Sequence, residues 1–256
     1  AHLENFNSLD AIYNEKINLF KSISNDGMIF LNMDDPLLSC NKLSFDCELI
    51  EYGFFGDYDY SGNSCDFENN NMVINDLSIY VPHLTNHLAK NILCSFSVAS
   101  KLGVDTKTLS KKIETFKIPE GRGNIINTNQ YMIINDTYNS NYSSTVSGLE
   151  SLKKFPSFRK IVVLGDMLEL GDQTKDFHSS LLNSLIENNI KHVFIYGELM
   201  RHLYEHALKT TDINLFYFDN HSELVKALNI YIEKNDIIYI KGSRGMKMEN
   251  VVKGIC

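Results

Sequence analysis

In the second half of this chain, short apolar runs alternate with stretches of helical length, and that alternation most narrows the possible folds. The runs are Tyr131–Ile134, Ile161–Leu164, His192–Tyr196, Leu215–Phe218 and Ile237–Ile240. Between them the pattern predicts helices over Ser143–Lys154, Thr174–Asn188, Glu198–Leu208 and Ser222–Glu233, with a last helix after Gly245. Strands and helices alternating at these lengths specify an α/β domain with a mostly parallel, doubly wound sheet. Helices then cover both faces, which explains why several strands are apolar almost throughout.

The first half is less regular. Ser8 is placed to cap a helix running to about Ile23, with Gly27 as its stop. Met28–Asn32 reads as a buried strand and Asp34-Asp35-Pro36 as a turn. From Phe45 to Val81, short polar and apolar segments alternate around Gly53, Gly56 and Gly62, which predicts an antiparallel region. Helices are expected over Thr85–Leu102, ended by Gly103, and over Asp105–Phe116. Pro119 closes this part, giving domains over 1–119 and 120–256.

Gly121 to Asn141 reads as the crossing between the two. Gly121 and Gly123 flank Arg122, so the backbone can turn tightly and approach an anion. Arg122 offers a fork of donors suited to phosphate or carboxylate. The strand from Tyr131 ends in Asn135, Asp136, Thr137, Tyr138, Asn139, Ser140 and Asn141, polar groups at the carboxyl end of a strand, where open α/β sheets bind ligands. A linker followed by an Asx-rich helix cap explains the same residues. Two later loops also follow strands. In Gly165–Gly171, Asp166 and Glu169 could hold an amine or a cation, or cap a helix. Lys241–Lys247 combines two glycines, a hydroxyl and three cations, a good anion site. It lacks P-loop spacing, and no GxGxxG, HExxH or GxSxG motif occurs.

Hydrophobic residues make up 43% of the 256 and charged residues 22%, enough to bury a real core. A net charge of −8 argues against broad nucleic-acid or anionic-membrane binding. No apolar run is long enough to span a bilayer, and no signal-peptide pattern occurs. Five cysteines without a CxxC pair read as free thiols of a reducing cytosol. The sequence begins Ala-His-Leu-Glu, without Met and without a targeting segment, so the expectation is that the N-terminal part of a longer protein precedes it.

Taken together, the loops resemble the Mur ligase family, and within it the MurF type. The matching motifs are AHLENFNS at Ala1, NEKINLF at Asn14, NMDDP at Asn32, HLAKN at His87, EGRGN at Glu120, INDTYNSN at Ile134, VLGDMLELG at Val163 and KGSRGMKMENVV at Lys241. They run in family order over nearly the whole chain, and the last two are the most specific for the type. The resemblance implies the later part of a central ATP-binding domain followed by a Rossmann-like C-terminal domain. The family's UDP-sugar domain and its GTNGKT-like phosphate loop are not in this sequence, so this chain alone is expected to be inactive. The implied reaction joins D-alanyl-D-alanine to UDP-N-acetylmuramoyl-tripeptide through an acyl phosphate, with ATP and magnesium, in a cytoplasmic monomer. Alternatives are another Mur or folylpolyglutamate-type ligase, or a non-catalytic nucleotide- or peptide-binding module.

Residue by residue, the resemblance implies that His2 and Lys16 hold magnesium, Lys16 as a carbamate. Asn91 matches an adenine contact, with His87 beside it at the ATP site, although Leu88 replaces a common Asn. Arg122 matches the arginine that reaches ATP phosphate, and with Lys16 it is the candidate catalytic pair. Asp136, with Tyr138 and Asn139, matches the nucleotide contact of the C-terminal domain. Asn141, Asp166, Glu169, Lys241, Ser243 and Arg244 are candidates for the amino-acid and peptide end. Tyr142 stands where Pro is usual, and Asn7 and Asn135 stand where Gly and Asp are usual.

Overall fold

The computed structural model describes residues 8–41, 44–208 and 213–256. Two compact units result, one running up to Lys117 and the other formed by Ile118–Cys256. His2 and Asn7, and the loop expected at the chain start, lie outside the described residues.

In the first unit, α1 (Leu9–Lys21) starts where expected, because the Ser8 hydroxyl accepts the Ala11 N–H at 3.1 Å. It ends earlier than expected. The Ser22 N–H donates to the Leu19 carbonyl and the Ile23 N–H to the Phe20 carbonyl, closing the last turn, so Gly27 is not the stop. Next come β1 (Met28–Asn32), the short α2 (Pro36–Ser39) capped by Asp35, β2 (Glu48–Gly53), β3 (Tyr60–Asp66), β4 (Asn71–Ile74) and β5 (Leu77–Tyr80). They form one sheet in sequential order. The antiparallel expectation for 45–81 is right only for β3, β4 and β5. β2 instead pairs in parallel with both β1 and β3. The connection 33–47, which contains α2, is long enough for the crossover that a parallel pair needs. Thr85 and Asp105 cap α3 (Asn86–Lys101) and α4 (Thr106–Glu114), with Gly103 at φ +89° between the helices. Met72, Ile74, Ile79, Leu84, Leu93 and Phe96 build the core beneath them.

The second unit holds β6 (Asn124–Asn127), β7 (Met132–Asp136), α5 (Tyr142–Ser151), β8 (Arg159–Gly165), α6 (Thr174–Glu187), β9 (His192–Tyr196), α7 (Arg201–Ala207), β10 (Asn214–Phe218), α8 (His221–Tyr231), β11 (Asp236–Lys241) and α9 (Glu249–Ile255). The sheet order is β10-β9-β8-β11-β7-β6. All pairs are parallel except β6 with β7. β6 corrects the reading of 121–141 as a simple crossing, since part of that stretch is an edge strand of this sheet. Alternate residues of each central strand serve opposite faces. Val162, Leu164, Ile237 and Tyr239 pack with α5, α6 and α7, whereas Ile161, Val163, Ile238 and Ile240 pack with α8 and α9. This two-sided burial is why the strands are apolar throughout.

At the amino end of the sheet, Arg159 grips the buried Asp236 with two hydrogen bonds of 2.8 and 2.7 Å and also reaches the Tyr231 carbonyl. This ties the starts of β8 and β11 together and leaves the other end for loops. Among the described residues, no helix is long and apolar enough to cross a membrane.

Candidate functional site

The last strand of the second unit, β11, lies between β8 and β7. Three loops distant in sequence therefore meet at the carboxyl ends of adjacent strands: 137–141, 166–171 and 242–248. Lys241 stands in register with Asp136 on one side and Leu164 on the other.

A buried polar core underlies these loops. The Lys241 ammonium donates to Asp136 Oδ2 at 2.7 Å and to the Asn139 carbonyl at 2.9 Å. The Tyr239 hydroxyl donates to the same Oδ2 at 2.8 Å. Burial, and then the Asp136 charge, raise the Tyr239 phenol well above its ordinary pKa, so it keeps its proton. Ser243 joins the loops, because its hydroxyl accepts the Leu168 N–H at 2.8 Å and donates to the Ser140 carbonyl at 3.2 Å. Its own N–H donates to the Asp166 carbonyl at 3.0 Å.

Asp166 turns inward. Its two carboxylate oxygens accept the N–H groups of Leu199, at 3.2 Å, and Met200, at 2.8 Å. Burial raises its pKa, and those backbone hydrogen bonds oppose the rise. Gly197, at φ +114°, makes room, since a side chain there would run into this carboxylate. The same loop is held from below by the fully buried His178. Its Nε2 accepts the Met167 N–H at 3.1 Å, and its Nδ1 faces the Thr174 carbonyl at 2.7 Å. That pair of partners requires a neutral ring with its proton on Nδ1. Burial lowers the His178 pKa in agreement.

The exposed candidates sit at the rim. Arg122 lies between Gly121 and Gly123, whose φ values of +76° and +86° few other residues adopt. Its guanidinium carbon is 3.7 Å from the Tyr138 ring centroid. Arg244 approaches the same ring at 5.8 Å and pairs with Glu249 at 3.4 Å. Two arginines thus approach one aromatic ring, a cationic rim suited to an anionic ligand. Asn139 and Glu169 are also exposed. Asn141 has a structural task, capping α5 in a reciprocal box with Ser144.

The remaining candidates lie in the first unit. Lys16 is exposed on α1. His87 and Asn91, four apart on α3, share one exposed face. Among the described residues, no three His, Cys, Asp or Glu side chains cluster to hold a metal.

Two family models match the sequence: the Mur ligase middle domain over residues 1–99, and the Mur ligase, glutamate ligase domain over residues 121–244. The chain belongs to the Mur ligase family. It is 28% identical to the UDP-N-acetylmuramoyl-tripeptide–D-alanyl-D-alanine ligase of Bacillus subtilis (strain 168), over 100% of this chain and 57% of that protein. It is 29% identical to the enzyme of the same name from Rickettsia prowazekii (strain Madrid E), over 98% of this chain and 58% of that one. The chain thus spans somewhat over half the length of the curated relatives it matches. Among solved structures, MurF from Acinetobacter baumannii superposes with a TM-score of 0.84 at 22% identity, covering 100% of this chain and 57% of that one. MurF from Thermotoga maritima, solved in complex with ADP, gives 0.83 at 24% identity, covering 100% and 59%. At these identities the structural likeness establishes the Mur ligase fold.

The candidate site contains two residues that sequence reasoning passed over. Tyr239 interrupts an otherwise aliphatic strand core, and His178 sits on the buried face of α6. The signal for Tyr239 was a single hydroxyl where its neighbours are isoleucines. For His178 there was none, because a histidine at helical spacing looks the same whether buried or exposed.

Proposed function

We propose that the whole protein is an ATP-dependent amide ligase of the MurF type, adding D-alanyl-D-alanine to UDP-N-acetylmuramoyl-tripeptide in the cytoplasm. One observation carries this reading: relatives bearing that enzyme's name align with 98–100% of this chain. In this reading the tripeptide carboxylate attacks the γ-phosphorus of ATP, and ADP departs. The dipeptide amine then attacks the acyl carbon, and the tetrahedral intermediate expels phosphate.

The chain's own residues bind and orient. Arg122, backed by Tyr138, receives a phosphate, and Asp136 with Asn139 holds the nucleotide from the C-terminal side. His87 and Asn91 offer polar groups to adenine from one face of α3. Arg244 suits the dipeptide carboxylate and Glu169 its amine end. Lys241, Ser243, Asp166 and Asn141 act through the loops they fasten. Lys16, as its carbamate, and His2 would hold magnesium, which supplies charge neutralisation at the phosphates; the exposure of Lys16 leaves its amine open to carbon dioxide.

The test is ADP and phosphate release by the purified whole protein. Release is expected only when tripeptide precursor and D-alanyl-D-alanine are both present. Turnover with a different amino-acid donor would reassign the chain to another ligase of the family. Dipeptide binding without nucleotide binding would make it a binding module.

A further inference from the structure

The polar core beneath the three loops contains one group that the proposed chemistry does not use. Tyr239 is 1% exposed, and its neighbours Ile237, Ile238 and Ile240 are aliphatic. For packing alone, a phenol hydroxyl at this depth is a liability unless it is bonded. Here it donates to Asp136 Oδ2. The opposing helix is adapted to it, because Gly148 lies inside α5 where a methyl group would collide with the hydroxyl. Glycine within a helix is unfavourable relative to alanine. Two unfavourable residue choices therefore coincide to seat one hydroxyl.

The geometry shows what the hydroxyl adds. Lys241 already neutralises Asp136, but an ammonium on a four-carbon stem fixes a carboxylate's rotation poorly. Tyr239 donates from a rigid ring locked between sheet and helix. With both donors on Oδ2, that oxygen is anchored, and Asp136 keeps 21% of its side chain open to solvent at the end of β7.

We propose that Tyr239 is a positioning residue for Asp136, setting the direction in which the carboxylate meets the hydroxyl or N–H donors of a bound nucleotide. This rests on the reading of Asp136 as a nucleotide contact.

The experiment is ADP binding by calorimetry to the whole protein, unaltered and as Y239F, D136N and the double variant, with thermal midpoints alongside. Y239F keeps the ring and removes only the donor. Y239F is expected to weaken ADP binding about 3- to 10-fold and D136N about 10- to 100-fold. The double variant should lie within about twofold of D136N, because without the carboxylate there is nothing left to position. A merely structural role would lower the thermal midpoint and leave the two losses multiplicative, which overturns the proposal. Unchanged affinity in Y239F beside a weakened D136N overturns the positioning role and spares the nucleotide reading. Unchanged affinity in D136N removes that reading, and the proposal with it.

Discussion

Asp136 and Lys241 are register partners on neighbouring parallel strands, and their charged groups meet at 2.7 Å with the lysine side chain only 4% exposed. Placing a charge this deep is tolerable only because the partner is fixed by the sheet. Replacing Lys241 by Met keeps the stem's volume and leaves Asp136 with Tyr239 and a little solvent. The expected loss is about 2–4 kcal/mol, below the full cost of an orphaned buried charge because Asp136 is partly open. Urea unfolding measures it, and D136N in the same background should recover part of the loss. A K241M variant as stable as the parent would mean that Tyr239 and solvent together suffice for Asp136.

His178 makes stability depend on pH in a definite direction. Burial holds its folded pKa below the ordinary 6.5, so on acidification the unfolded chain takes up a proton that the folded chain refuses. Its contribution is intact above about pH 6.5 and is lost as pH falls below that value, by at most about 1.4 kcal/mol per pH unit. His192, lowered by burial and by Arg159, acts in the same direction. Asp166, raised by burial, acts in the opposite direction. Comparison with H178Q isolates the His178 share. At pH 8 the variant should be less stable by about 1–3 kcal/mol, because the Met167 N–H and Thr174 carbonyl lose a matched partner. That gap should narrow from pH 6.5 downward. A gap that stays constant to pH 5 would show that His178 is not the titrating group.

The sheet of the second unit was legible because its signals are local. Five apolar runs and a cap such as Asn141 each act within a few residues. What failed was non-local. The parallel pairing of β2 depends on how a 33–47 crossover closes, and β6 is a four-residue edge strand with only two apolar residues. The site divides in the same way. Strand-end loops rich in Gly, Asp and Lys marked where ligands could bind, but sequence does not say which side chains turn inward. Asp166, Lys241 and Ser243 looked like ligand groups, yet Asp166 and Ser243 bond to backbone and Lys241 to Asp136 and a carbonyl, because β11 enters between β8 and β7. The backbone around Arg122 was legible for a physical reason. Two glycines around one arginine make an unusual backbone, and both adopt positive φ.

Gly148 sets two effects of opposite sign against each other. Alanine inside α5 should gain about 1 kcal/mol in helix propensity. The new methyl group would meet the Tyr239 hydroxyl, itself pinned to Asp136, and overpacking of this kind costs about 1–3 kcal/mol. The second effect is expected to win, so G148A should lower the unfolding midpoint. The double variant G148A/Y239F should lose less than G148A alone, because the hydroxyl no longer blocks the methyl. A stabilised G148A would contradict the close packing of α5 on Tyr239.

The Arg122–Tyr138 stack separates what charge contributes from what a preset orientation contributes. The guanidinium carbon lies 3.7 Å from the ring centroid, which holds an exposed side chain in place before any anion arrives. Arg122→Lys keeps the charge and loses both the donor fork and the stack, so ADP affinity of the whole protein should fall about 10- to 100-fold. Tyr138→Phe keeps the aromatic face and should stay within about twofold of the parent. Tyr138→Ala releases the guanidinium, and an exposed cation–π contact of about 0.5–1 kcal/mol corresponds to a loss of about 2- to 5-fold. Calorimetric titration of the three variants distinguishes the causes. Equal losses in the Phe and Ala variants would assign the effect to the phenol hydroxyl, and the ring would then have no part in orienting Arg122.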